Sequence, residues 1–179
     1  PGTNKMGLVV PRNGGVKVDF DHHPDLVTKK VRQGTRNFAI EPAMTEEEAS
    51  QTVENGMEIF LEENNKEKID ILGLGEMGIG NTTAATAIIC AVTGLAVTEA
   101  TGRGTGIDDK GLEHKSKVIT NALNFHNLDK ENGLEILHKV GGLEIAGIVG
   151  AVLAAASQKT VVVLDGVIST AAGLLAYLI

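Results

Sequence analysis

Cysteine appears once in this sequence, tryptophan not at all, and aromatic residues make up 3% of its 179 positions. With Cys90 alone, no disulfide can close within the chain and no cysteine cluster can hold a metal. A reducing cytoplasm is the expected compartment. A core with so few rings has to be filled by Ala, Val, Ile and Leu, which suits helices packed on a buried sheet. Cys90 itself falls in an Ala- and Ile-rich stretch and reads as a small core residue. Positive charge is short as well: 16 Lys and Arg stand against 23 Asp and Glu, a formal net charge of −7. That balance argues against nucleic acid, whose binding needs Lys and Arg to displace counterions from phosphates. It argues equally against an anionic membrane surface. A single anionic small molecule stays compatible, because one local pocket can be positive on an acidic protein.

The chain also lacks a convincing membrane span. Val161 to Ile179 approaches the necessary length, but it contains Asp165, Ser169 and Thr170 and begins with a β-branched run. A metal site is equally hard to build. His22 and His23, in the run Asp19 to Asp25, are adjacent and would point to opposite sides of an extended segment. His114, His126 and His138 have no ligand spacing. No metal and no cofactor are expected. The chain starts at Pro1 and closes on the apolar run Ala171 to Ile179 without a polar tail. Both ends therefore read as cut from something longer.

What is present in quantity is glycine, 22 residues, within a composition that is 42% hydrophobic and 22% charged. Val16 to Phe20 is a short strand candidate, and a short helix is possible near Val27. Thr45 and Glu48 form a capping-box signature, opening a helix with Ala49, Val53, Met57, Phe60 and Leu61 on one face. Ile69 to Leu74 reads as a buried strand running into a Gly-rich turn. Asn81 or Thr82 is expected to cap an Ala-rich helix that ends near Thr93-Gly94. After a second Gly-rich turn, Asp108 or Asp109 can cap a helix bearing Leu112, Val118, Ile119, Ala122 and Leu123 on one face. Two more helices follow, near Leu134 to Lys139 and from Leu143 to Ser157. In the second, Ala146, Gly147, Gly150 and Ala154 would let a neighbouring backbone approach closely. Thr160 to Leu164 is a buried strand, and Asp165-Gly166 turns into a last helix. Strands alternating with helices predict an α/β fold, a mostly parallel sheet with helices on both faces in a Rossmann-like three-layer arrangement, as one domain spanning residues 1–179.

Two segments carry the chemistry. The turn Gly73-Leu-Gly-Glu76-Met-Gly-Ile-Gly-Asn81-Thr-Thr offers backbone N–H groups with little side-chain obstruction and then opens a helix. That arrangement favours an anion. It is no P-loop, because Asn81-Thr82-Thr83 stands where Gly-Lys-Ser/Thr is needed. Gly73, Gly75 and Gly78 match the dinucleotide pattern, with Glu99 at about the distance expected of a ribose-binding acid. A nicotinamide-dinucleotide oxidoreductase is therefore one reading, and a plain packing turn is another. Glu76 is out of place beside a pyrophosphate. The second turn, Gly102-Arg-Gly104-Thr105-Gly106, has the same anion-binding logic, and Lys115 on the following helix could reach back to it.

These segments resemble a known family. Gly75-Glu-Met-Gly-Ile-Gly-Asn-Thr-Thr83 is similar to the signature of the nicotinate-nucleotide:dimethylbenzimidazole phosphoribosyltransferases. Gly34-Thr-Arg-Asn-Phe38, Glu41-Pro-Ala-Met-Thr45, Gly102 to Asp109, Gly141-Gly-Leu-Glu-Ile-Ala146 and Leu164 to Ala171 agree in the same order. The resemblance implies transfer of the phosphoribosyl group of nicotinate mononucleotide to a benzimidazole nitrogen. The products are α-ribazole phosphate and nicotinate, in synthesis of the cobalamin lower ligand. It implies that Gly78, Gly104, Thr105 and Gly106 line the phosphate and that Lys115 neutralises it, with Gly75, Gly80 and Asn81 completing the turn's contacts. Glu76 would stand near the ribose as a secondary catalytic carboxylate. Asp165 would lie at the end of a strand, where parallel sheets place ligands, or would only cap the next helix. The resemblance places the principal base beyond Ile179 and much of the benzimidazole pocket before Pro1, and it implies a homodimer. A truncated paralogue that binds a nucleotide or a partner without catalysis is the remaining alternative.

Overall fold

The structure is a computed structural model that describes residues 27–76 and 80–179. The expected strand at Val16 to Phe20, the His-containing run Asp19 to Asp25 and Gly78 lie outside the described residues. Helix α1 spans Glu46–Lys66 and opens on Thr45, as the capping-box signature predicts. The Thr45 hydroxyl accepts the Glu48 N–H at 3.1 Å, and the Glu48 carboxylate accepts the Thr45 N–H at 2.8 Å. The same carboxylate takes the Arg36 guanidinium at 2.6 Å and that of Arg32 at 3.2 Å. Arg36 foremost, then the Thr45 N–H and Arg32, hold the Glu48 carboxyl down at about 2. One glutamate thus closes the helix end and ties the Gly34 to Phe38 segment to it.

Strand β1, Ile71–Leu74, pairs in parallel with β2, Val161–Leu164, with Ile71 opposite Val161 and Leu74 opposite Leu164. Both strands start slightly later than predicted. Thr160 instead anchors the register from outside, its hydroxyl donating to the Ile69 carbonyl at 3.0 Å. Between the strands run α2 (Asn81–Thr93), the single turn α3 (Val97–Ala100), α4 (Asp109–His126), α5 (Gly133–Val140) and α6 (Leu143–Ser157). Helix α7, Val167–Leu178, follows β2. This is the predicted α/β fold with a parallel sheet. Leu72 and Val162 face a small cluster formed by Phe60 of α1 and Ala154 and Ala155 of α6. On the other face Ile71, Val161 and Val163 remain 64%, 60% and 51% exposed, so among the described residues the helices cover one face of the strands.

The tightest packing joins α1 to α6. A Cβ on Gly150 would stand 1.9 Å from the Val53 carbonyl oxygen, and one on Gly56 would stand 2.1 Å from that of Gly147. Of the small residues predicted to admit a neighbouring backbone, Gly147 and Gly150 do so, and the neighbour is α1. The main core combines Ile88 of α2, Ile119 of α4, Ile136 and Leu137 of α5, Leu143 and Val149 of α6, and Leu175 of α7, with no aromatic residue among its buried members. Cys90 is buried in α2, and burial pushes its thiol up.

Two helix starts differ from expectation. Gly80 is the N-cap of α2, at φ 87, and no side chain caps the helix. Asn81 and Thr82 are both engaged elsewhere, as described below. Asp165 does not cap α7 with its side chain: Gly166 is the N-cap, and the Ser169 hydroxyl accepts the N–H groups of Asp165 and Gly166 at 2.9 and 3.0 Å.

Candidate functional site

The end of β1 delivers Gly75 and Glu76 beside Asp165, because Leu74 and Leu164 are register partners on adjacent parallel strands. Helix α2 begins at the same end. Its first turn carries no acid and has no side-chain cap, so its first amides present the positive end of the helix dipole unneutralised. A Cβ on Gly75 or Gly80 would meet nothing within 4 Å, so packing does not explain either glycine. Gly80 requires its missing side chain for another reason, the left-handed backbone that starts α2.

The second Gly-rich turn closes on this helix start. Arg103 shapes the turn, its carbonyl accepting the N–H groups of Gly106 and Ile107 and its guanidinium donating to the Ile107 carbonyl and to Asp109. Asp108 caps α4 by accepting the Gly111 N–H at 2.8 Å. From the second turn of α4, Lys115 reaches back, donating to the Thr82 hydroxyl at 2.9 Å and to the Gly102 carbonyl at 3.1 Å. Both partners are neutral. Partial burial pulls the Lys115 ammonium below its ordinary range, and no carboxylate offsets that cost among the described residues. Gly104 is fitted against the same pair: a Cβ there would lie 3.1 Å from the Thr82 Oγ1 and 3.7 Å from the Lys115 Nζ. Thr105 and Gly106 are exposed alongside.

Glu76 is held by Asn81, whose side-chain amide donates to its carboxylate. This is why Asn81 does not cap α2. Burial pushes the Glu76 carboxyl up, the nearby charge of Glu144 adds to the rise, and the Asn81 amide opposes it. The Asp165 side chain is exposed and has no partner among the described residues.

Of the predicted residues, the structure brings Gly75, Glu76, Gly80, Asn81 and Asp165 to one end of the sheet. Gly104, Thr105, Gly106 and Lys115 are joined to them through Thr82. Sequence reasoning treated Thr82 only as an alternative cap and passed over Glu144. Its one signal was an isolated acid opening an otherwise apolar helix after Gly141-Gly142. No group of three or more His, Cys, Asp or Glu side chains able to hold a metal occurs among the described residues, and no helix there is long and apolar enough to cross a membrane. The dinucleotide reading fails on topology. Glu99 sits on the single turn α3, where that pattern requires a second strand carrying the acid at its end.

Fold and site together define the class: an α/β protein with a group of polar side chains and Gly-rich turns at the carboxyl ends of parallel strands. A family model described as phosphoribosyltransferase matches residues 3–179. A nicotinate-nucleotide–dimethylbenzimidazole phosphoribosyltransferase of Citrifermentans bemidjiense is 51% identical over 162 residues, covering 90% of this chain and 46% of the relative. One of the same name from Chloroflexus aggregans is 49% identical with the same coverage. The crystal structure of CobT from Thermus thermophilus superposes with a TM-score of 0.85 at 39% identity, covering 92% of this chain and 49% of that one. The chain belongs to the nicotinate-nucleotide:dimethylbenzimidazole phosphoribosyltransferase family. It spans about half the length of the relatives it matches. None of these relatives is named as an oxidoreductase, so the dinucleotide alternative gains no support from them.

Proposed function

We propose that this chain supplies the nucleotide-binding part of an enzyme that moves the phosphoribosyl group of nicotinate mononucleotide to 5,6-dimethylbenzimidazole. The products are α-ribazole 5′-phosphate and nicotinate. The observation that carries the reading is the Lys115 ammonium, partly desolvated, satisfied among the described residues by Thr82 and Gly102, and set between two Gly-rich turns. A phosphate is the complement of that grouping: it offers the negative charge that Lys115 lacks and accepts from the uncapped amides of α2. Gly75, Gly80, Asn81, Gly104, Thr105 and Gly106 give the phosphate and ribose close access to backbone, and Gly78 belongs to the same turn.

The chemistry asks little more of this half. Nicotinate leaves from a cationic glycosidic bond and needs little acid assistance. The benzimidazole must lose its N–H proton, which calls for a carboxylate base. Glu76, raised above the ordinary carboxylate range, stands near the reacting centre as a secondary carboxylate, with Asp165 across the strand ends. Attack opposite the leaving group inverts the anomeric carbon. The chain acts as one α/β domain, in the cytoplasm, as part of a homodimer.

The test is a product assay with nicotinate mononucleotide and dimethylbenzimidazole. It is run on the 179-residue chain and on the full product of its gene, because the resemblance places the principal base beyond Ile179. The full product is expected to make α-ribazole 5′-phosphate, and the short chain to bind the nucleotide with little turnover. A full product that forms no α-ribazole 5′-phosphate and releases no nicotinate ends the transferase reading.

A further inference from the structure

Several threonine hydroxyls in this chain turn back on their own backbone. Those of Thr52, Thr86, Thr93, Thr101 and Thr120 each donate to the carbonyl four residues earlier, at 2.5 to 2.9 Å. That carbonyl is the local acceptor a helix offers a hydroxyl. Thr82 does not follow them. It stands half-buried in the first turn of α2, and its hydroxyl accepts the Lys115 ammonium of α4 at 2.9 Å. The bond is lodged against the second Gly-rich turn. A Cβ on Gly104 would lie 3.1 Å from the Thr82 Oγ1 and 3.7 Å from the Lys115 Nζ, so the glycine leaves room for both ends of the bond.

A lysine ammonium has three N–H donors. At Lys115 two of them are engaged, one by the Thr82 hydroxyl and one by the Gly102 carbonyl at 3.1 Å. With the Cε–Nζ bond and two N–H bonds held, the direction of the third is set. The two anchors do different things. Gly102 belongs to the turn that leads into α4, so its contact orders the lysine only against its own stretch of chain. Thr82 belongs to α2, whose uncapped start supplies the other half of an anion site. Among the described residues, Thr82 is the one side chain of α2 that hydrogen-bonds to Lys115. Without it the ammonium would swing on a long flexible stem, and an arriving anion would have to immobilise it.

We propose that Thr82 is a positioning residue: by accepting from Lys115 it holds the ammonium beside the first turn of α2, with one N–H aimed at the nucleotide phosphate before the nucleotide arrives. Thr82 acts on the phosphate through Lys115 and not by a contact of its own. This deepens the proposed function and rests on the nucleotide-binding reading of the site.

A double-mutant cycle on the full product of the gene tests this, with nicotinate mononucleotide affinity read by titration calorimetry. The proteins are wild type, Thr82→Val, Thr82→Ser, Lys115→Ala and the double variant T82V/K115A. Valine keeps the shape of threonine and removes the acceptor, so T82V should weaken binding about three- to tenfold, the range for one neutral hydrogen bond. T82S restores the hydroxyl and should bind within about twofold of wild type. On the K115A background there is no ammonium left to aim, so adding T82V should change affinity by less than about twofold. An equal loss from T82V on both backgrounds means that Thr82 touches the phosphate directly or only supports α2, and overturns the proposal. Failure of T82S to restore binding assigns the effect to the lost methyl and overturns it too. Wild-type affinity in T82V has the same consequence, and all three results leave the transferase reading standing. Wild-type protein that does not bind the nucleotide removes that reading and this one together. If T82V does not fold, Thr82→Ala takes its place in the same cycle and is held to the same outcomes.

Discussion

The Lys115 ammonium and the Thr82 hydroxyl, 33 residues apart in the chain, meet at 2.9 Å and join the start of α2 to the Gly102 turn. With neutral partners among the described residues, Lys115 keeps its charge available to an incoming anion. Lys115→Ala should weaken nicotinate mononucleotide binding about ten- to hundredfold, the range for a hydrogen bond to a charged group. Titration calorimetry checks this, and unchanged affinity would remove Lys115 from the phosphate site.

Glu76 carries the opposite kind of strain, a carboxyl raised by burial and by Glu144. A carboxyl raised in the folded state contributes stability below its ordinary range, and this contribution is lost as pH rises through the folded value. At pH 8 the ionised group is therefore a cost. Glu76→Gln is expected to raise Tm at pH 8 and to have less effect near pH 4. Asn81→Ala removes the donor that favours the charged form and should move the Glu76 carboxyl further up, readable by carbon NMR of labelled glutamate.

Glu48 has the reverse sign. Arg36, the Thr45 N–H and Arg32 hold it at about 2, so its contribution is present above the ordinary carboxylate value and is lost as pH falls toward about 2. Glu48→Gln keeps an oxygen able to accept the Thr45 N–H but removes the charge facing Arg36 and Arg32, and should cost about 1–2 kcal/mol at pH 7. Urea unfolding at pH 7 and pH 3 should show the deficit narrowing at the lower pH. A constant deficit would mean that the charge of Glu48 is not what matters.

At the α1–α6 contact, Gly150→Ala would drive a methyl into the Val53 carbonyl and Gly56→Ala would drive one into that of Gly147. Backbone cannot yield as a flexible side chain does. Each substitution should cost about 2–4 kcal/mol and lower Tm accordingly. The double variant should cost less than the sum, because both separate the same pair of helices.

Much of the local structure was legible in the sequence because its causes are local. The Thr45–Glu48 box, the Asp108 cap and the Leu143–Ser157 span each depend on residues within a turn or two of one another. The two misjudged helix starts show the limit. Asn81 and Ser169 both have side chains able to cap, but Asn81 serves Glu76, and Ser169 accepts the amides ahead of α7 in place of Asp165. A capping side chain satisfies whichever partner the fold brings first, and that partner need not be its own helix.

By itself, then, the sequence determined that two Gly-rich turns open helices after or near strands, that Lys115 follows the second turn at a spacing able to reach back, and that α6 has a face of small residues. Tertiary structure decided what each of these meets. It set α1 as the partner of Gly147 and Gly150, Thr82 as the partner of Lys115, and Glu144 as the charge acting on Glu76. Backbone hydrogen bonding acts over a few residues and so leaves its mark as spacing. Which side chains come together depends on how the helices return to a common end of the sheet, and no spacing in the chain records that.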